Sequence, residues 1–283
     1  MAIIMDGKQL AKKIKSNLKI ECDELKLKGI KPKLAVVMVG NNSASKVYVK
    51  NKNKACEEVG VEFEEFLLGE DTKQEELENL IEELNQNEEI HGILLQSPIP
   101  KTLDINMAFG KIAPEKDVDG FHPINIGNLA LNKDTFIACT PFGIMKILEE
   151  YNIDLNGKHV VIIGRSNIVG RPLIQCSLNK NATVTICHSK KQNLEVHTKR
   201  ADVLMSAIGK PNFVTKEMVK DGAVVIDVGI NRLEDGKLVG DVEYNEVEKK
   251  ASYITTFQVG VGPMTIAMLM NNCLKAAKNS QES

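Results

Sequence analysis

The chain has 283 residues, 43% hydrophobic and 26% charged, with 36 basic against 38 acidic side chains and a formal net charge of −2. That is ordinary globular composition at a length that suits two domains, with no basic excess to suggest nucleic acid. Trp is absent and aromatics are 4%, so stacking platforms for single strands are scarce. The six cysteines form no CxxC pair. Reduced, buried thiols in a cytoplasmic protein are therefore expected, and a zinc site is not. No apolar run approaches a membrane span, and Met1–Gly7 lacks the basic and apolar regions of a signal peptide.

Ile3–Met5 reads as a short strand. Lys8 to Leu27 has apolar residues at helical spacing, stopped by Gly29 and Pro32. Leu34–Val39 is a buried strand. Asn41-Asn42-Ser43 then turns and caps a helix that ends at Gly60. On this helix Tyr48 and Lys52 are four apart and share a face, which Cys56 and Val59 carry toward the core. A lysine on an inward stripe costs free energy unless it has partners or a task, although a snorkelling lysine at the stripe's edge is the plainer alternative. Val61–Leu68 alternates like a strand, Thr72–Leu84 is an acidic amphipathic helix, and Ile90–Gln96 is a further buried strand. Gln96 sits where ligands bind in open α/β sheets, at a carboxyl end, either as an amide offered to a partner or as a polar cap.

Lys116–Pro123 is a polar loop. In it Asp119 either accepts hydrogen bonds from a ligand or forms a turn with Gly120, and His122, before a proline, reads as structural. A joint follows at Cys139-Thr140-Pro141-Phe142-Gly143, with a helix to Tyr151. Val160–Ile163 is then a strand of four apolar residues, followed by Gly164-Arg165-Ser166-Asn167-Ile168-Val169-Gly170 and a helix to Asn179. A buried parallel strand, a glycine turn and a helix N-terminus make a phosphate site, with the first free N–H groups of the helix toward the anion. Ser166 stands where the second glycine of GxGxxG would be, so the motif alone also fits a plain βα turn. The next strand, Ala182–Cys187, ends in His188-Ser189-Lys190-Lys191 and not in the acid that would bind a ribose hydroxyl. With Arg165 and Arg171, this leans toward a 2′-phosphate, hence NADP over NAD.

Ala201–Gly209 and Ala223–Ile230 are buried strands linked by a crossover helix at Lys216–Lys220. Asp241, after a glycine, reads as a turn cap. Tyr253–Phe257 is a last strand, and Gly260-Val261-Gly262-Pro263-Met264-Thr265 opens a final apolar helix before a polar tail from Lys278.

Taken together, these motifs resemble the bifunctional methylenetetrahydrofolate dehydrogenase/cyclohydrolase (FolD) family. The resemblance rests on Tyr48-Val49-Lys50-Asn51-Lys52, Gln96-x-Pro98-x-Pro100, Lys116–Phe121, Cys139–Gly143, Gly164–Gly170 and Gly260–Thr265, in one order along nearly the whole chain. It implies an α/β fold in two domains with a cleft between them. Residues 1–139, completed by 264–283, would form a folate-binding catalytic domain, and 140–263 a Rossmann-like NADP domain. It implies oxidation of 5,10-methylenetetrahydrofolate with NADP as hydride acceptor, then hydrolysis of the methenyl product to 10-formyltetrahydrofolate, within one-carbon metabolism. Residue by residue, Lys52 matches the catalytic lysine and Gln96 its partner. Tyr48 matches the residue stacked on folate, and Asp119 the carboxylate gripping the pterin. Gly262 and Pro263 would also border the folate. Thr140, Gly164, Arg165, Ser166, Ser189 and Ile230 match cofactor positions. No metal is implied, and a homodimer is. Two other readings remain open: an NADP dehydrogenase of a small polar substrate, and a non-catalytic NADP-binding regulator. One stretch departs from the family pattern. Thr255-Thr256-Phe257-Gln258-Val259-Gly260 lacks two prolines and a glycine, so Val259 is expected to be strained if the glycine supplied φ > 0.

Overall fold

In the computed structural model, which describes residues 1–281, the chain divides into two compact units. Lys12–Ile137 forms one together with the C-terminal segment from Ile266; Met1–Ala11 and Ala138–Thr265 form the other. The family resemblance puts the first residues with the folate domain. They belong with the second unit because Ile3 and Ile4 pair in parallel with Tyr253 and Ile254, and Met5 N–H donates to the Ile254 carbonyl at 2.8 Å.

The Lys12–Ile137 unit holds a three-stranded parallel sheet in the order Glu62–Leu68, Lys33–Val39, Gly92–Gln96. Its middle strand is apolar throughout Leu34–Val39 because both faces are covered. One face packs Val37, Ile93 and Leu95 against Leu77, Ile81 and Phe109, each such side chain worth roughly 1.5–3 kcal/mol when buried. The Ser43–Val59 helix starts where the Asn42 side chain accepts the Ser45 N–H, and ends at Gly60, φ +93°.

The second unit holds a six-stranded sheet with every pairing parallel. Its order is Ile3–Ile4, Tyr253–Ile254, Val224–Asp227, Val203–Ser206, His159–Ile163, Thr183–Cys187. From His159–Ile163 the chain goes to one edge, then crosses back to Val203–Ser206 and on to the other side. The switch point therefore lies at the carboxyl ends of His159–Ile163 and Val203–Ser206, where an open parallel sheet binds its ligand.

Several short elements are not expected from the sequence: helices Ile105–Lys111, Pro123–Ala130, Leu194–Thr198 and Tyr244–Val247, and the hairpin Asn231–Arg232 with Leu238–Val239. Each is too short to establish a period. The expected crossover helix is only a 3-10 turn, Lys216–Met218. The final helix runs Val261–Asn279, into the expected polar tail, whose last two residues lie outside the described ones. Among the described residues no helix is long and apolar enough to cross a membrane.

Candidate active site

Ser45, Val49, Cys56 and Val59 are the buried stripe of their helix, and Lys52 falls on it at helical spacing. Its half-buried side chain donates from Nζ to Gln96 Oε1 at 2.8 Å. Gln96 is 7% exposed, and its Nε2 donates to the Ser97 carbonyl at 2.6 Å. That second bond fixes the amide with its oxygen toward the lysine. Lys52 is thus a partnered lysine and not a snorkelling one, and Gln96 is more than a strand cap. Tyr48 lies beside the stripe, 50% exposed, and Val49 takes the inward place expected for it.

Asp119 is half-buried on a loop held from both sides. Before it, Lys116 Nζ donates to the carbonyls of Leu84, Asn85 and Asn87 at 3.2, 2.7 and 2.8 Å, satisfying the end of the Gln74–Gln86 helix. The Asp117 carboxylate accepts the N–H groups of Gly120, Phe121 and His122 and the Asn125 amide. On the final helix, Asn272 Nδ2 donates to the carbonyls of Val118 at 2.9 Å and Ile137 at 3.1 Å. His122 is structural as expected: its ring accepts the Ile124 N–H and caps Pro123–Ala130. Burial pushes the nearby Cys273 thiol well above the usual thiol range, and the charges of Asp119 and Lys52 act on it in opposite senses. Both charged groups therefore lie within electrostatic reach of one buried point.

Asp117 and Asn272 were not singled out from the sequence. A readable signal existed for Asn272, a polar residue on the buried face of an apolar helix. Asp117 carries a pH prediction. Burial raises its carboxyl from the ordinary 3.8 to about 6, although four hydrogen bonds favour the charged form. The fold thus favours the neutral group. Its contribution is fully present below the unfolded value of 3.8 and is lost as pH rises through about 6. Wild-type stability relative to Asp117→Asn should fall between about pH 4 and 6 and level off above about 7 in urea melts. A difference flat across that window would show that the carboxyl is not raised.

In the other unit, Gly164 ends the His159–Ile163 strand at φ +118°, its N–H donating to the Cys187 carbonyl at 2.8 Å. Cys187 ends the neighbouring strand, so the exposed residues Arg165, Ser166 and Ser189 leave the sheet from adjacent carboxyl ends. The helix start differs from expectation. Ser166 Oγ accepts the N–H groups of Val169 at 3.2 Å and Gly170 at 3.4 Å, and the Ser166 carbonyl accepts that of Arg171. Pro172 has none to offer. The backbone donors left for an anion are those of the exposed turn, Arg165 to Ile168, and not the first turn of the Gly170–Leu178 helix. Ile230 is 49% exposed and lies against Gly262, where a Cβ would stand 3.7 Å from its Cδ1. Pro263 follows in the same helix, half-buried. Thr140, in the Cys139–Glu150 helix, shares a 2.9 Å hydroxyl hydrogen bond with Thr265.

Residues 5–119 match the tetrahydrofolate dehydrogenase/cyclohydrolase catalytic domain and residues 138–281 its NAD(P)-binding domain. The chain belongs to the tetrahydrofolate dehydrogenase/cyclohydrolase family. The bifunctional protein FolD of Nautilia profundicola is 55% identical, covering 98% of this chain and 97% of its own. The crystal structure of FolD methylenetetrahydrofolate dehydrogenase/cyclohydrolase from Campylobacter jejuni is 51% identical, covers 99% of both chains and superposes with a TM-score of 0.98. The Trypanosoma brucei dehydrogenase-cyclohydrolase, solved with NADP and an inhibitor, is 35% identical over 100% of this chain and 99% of its own, with a TM-score of 0.95.

Against that family's pattern, the Thr256–Gly260 loop closes without the strain expected at Val259. Positive φ among the described residues falls on glycines and on Asn132, Asn152, Asn181, Asn193 and Asn212, and not on Val259. Instead the Val259 N–H donates to Thr256 Oγ1 at 3.3 Å and the Gly260 N–H to the Thr256 carbonyl at 2.9 Å. The indispensable glycine is the next one, since a Cβ on Gly260 would stand 2.4 Å from the Thr256 carbonyl oxygen.

Proposed function

We propose that the protein oxidises 5,10-methylenetetrahydrofolate to the methenyl form with NADP, then hydrolyses that product to 10-formyltetrahydrofolate. Family membership over both domains supports the pair of reactions, and the Lys52–Gln96 contact at 2.8 Å is the observation that carries the second.

Asp119 would grip the amino and ring N–H groups of the pterin through charge-assisted bonds, on a loop made stiff by Asp117 and Asn272. Tyr48, half exposed, offers a ring for stacking. Water adds to the electron-poor methenyl carbon and loses a proton; the new hydroxyl then gives up its proton as the formyl carbonyl forms, while the ring C–N bond breaks and its nitrogen takes a proton. Lys52 Nζ is the group placed to hold and pass the proton, with Gln96 fixing its direction.

The residues of the second unit fit NADP. Gly164, Arg165 and Ser166 provide a turn with exposed backbone donors, and Arg165 and Ser189 stand on adjacent strand ends where a 2′-phosphate needs positive charge and hydroxyls. Thr140 and Ile230 would complete the contacts. NADP, when bound, supplies the hydride acceptor. The chain's part in that step is to hold and orient two molecules, which by itself lowers the barrier. Neither a small-substrate dehydrogenase nor a non-catalytic regulator is favoured by any of these contacts. Buried free thiols go with a cytoplasmic protein, and the family resemblance alone with a homodimer.

The test follows absorbance after mixing protein with methylenetetrahydrofolate and NADP, with NAD in parallel. NADPH and methenyl signals should rise, faster with NADP, and the methenyl signal should then decay faster than in buffer. Absence of any folate-dependent NADPH would overturn the reading.

A further inference from the structure

Asp241 has no exposed surface, yet its carboxylate gathers five donors. Oδ2 accepts from Ser206 Oγ at 3.1 Å and from the N–H groups of Ile208 at 2.8 Å and Gly209 at 3.3 Å. Oδ1 accepts from the Lys210 N–H at 2.9 Å and Asn231 Nδ2 at 3.0 Å. The residue's own N–H donates to Asp227 Oδ1 at 2.9 Å, so a second buried carboxyl holds its backbone. A turn cap, as expected from the sequence, would have gathered donors from its own turn. Asp241 instead gathers them from two distant stretches.

The location of those donors matters. Ile208, Gly209 and Lys210 form the loop that leaves Val203–Ser206, which is one side of the switch point; Gly164 is the other, a Cβ there meeting the Ala207 carbonyl oxygen at 2.4 Å. Asn231 directly follows Ile230. A buried carboxylate is costly to desolvate, and apolar packing would hold two loops together at less cost. What a five-donor carboxylate adds is one defined loop shape.

We infer that Asp241 is a positioning residue for the dinucleotide site, setting the Ile208–Lys210 loop and, through Asn231, Ile230 in the shape that receives the cofactor. Being wholly buried, it acts through these loops and not by touching the ligand. The inference rests on the NADP reading above.

Steady-state kinetics on the full chain test it, with NADP and methylenetetrahydrofolate varied separately and melting temperature measured alongside. In Asp241→Asn the side-chain NH₂ must face N–H donors on one side. KM for NADP should rise about 10- to 100-fold. KM for the folate should stay within about twofold, a split that general loss of structure would not produce. Asn231→Ala deletes one of the five bonds and should raise the NADP KM several-fold. Exposed Asp221→Asn should change neither constant. Equal rises in both KM values, or an unchanged NADP KM, would overturn the inference. If Asp241→Asn does not fold, Asn231→Ala decides on the same criterion. Wild type unable to bind NADP would overturn the functional reading and this inference with it, whereas wild type that binds beside unaffected variants overturns the inference alone.

Discussion

Lys52→Met is expected to remove cyclohydrolase activity by at least about 100-fold while the protein still folds and still binds NADP. Methionine keeps an unbranched stem of similar length, so the packing beside Cys56 on the same helix stripe survives. What is lost is Nζ, the donor to Gln96 Oε1 at 2.8 Å and the amine that the stripe places to take up and release a proton. Gln96 then keeps its bond to the Ser97 carbonyl but has nothing to direct. The assay supplies methenyltetrahydrofolate directly, without NADP, and follows its disappearance, so that the dehydrogenase step cannot mask the result. NADP binding and melting temperature report on the remainder of the molecule. Hydrolysis at the wild-type rate would move the proton-handling role away from Lys52 and leave Gln96 as a strand cap.

The sequence made Lys52 and Gln96 visible for different reasons than the structure does. Periodicity alone put Lys52 on an inward stripe, because side chains four apart on a helix share a face. It could not show Gln96 as the partner, since the two residues are 44 positions apart and meet only because Gly92–Gln96 pairs in parallel with Lys33–Val39, the strand that leads into the lysine's helix. Gly164 was legible because a buried strand, a glycine turn and a helix follow one another there, a pattern that a plain βα turn also fits until the strand after it is read. The helix start behind it was misread: composition does not reveal that Ser166 would turn its hydroxyl back onto Val169 and Gly170. Asp117, Asp227 and Asp241 stayed hidden for a common reason. Nothing in the few residues around an acidic side chain tells whether it will be buried, and only the fold shows that these three carboxylates are, each held by backbone N–H groups.

Gly164→Ala is the second large effect, and it separates a glycine required by backbone geometry from one that is merely present. Two costs add at this position. At φ +118° an L side chain is strained wherever it points, and the added Cβ would stand 2.4 Å from the Ala207 carbonyl oxygen, backbone that cannot swing aside. Together they should destabilise the protein by roughly 2–5 kcal/mol and weaken NADP binding at least about 10-fold. The turn has a second such point. A Cβ on Gly170 would meet the Gly164 carbonyl oxygen at 2.3 Å, so Gly170→Ala should give the same pair of losses without the φ penalty, and a smaller fall in stability. Gly110, inside the Ile105–Lys111 helix with open space where its Cβ would be, is the contrast. Gly110→Ala should stabilise the protein by about 0.5–1 kcal/mol, since alanine loses less backbone freedom on folding. Thermal melts and NADP titrations on the three variants give the comparison. If Gly164→Ala melts and binds like Gly110→Ala, the switch-point loops can move apart to admit a methyl group, and the close approach of Gly164 to Ala207 is not what shapes the cofactor turn.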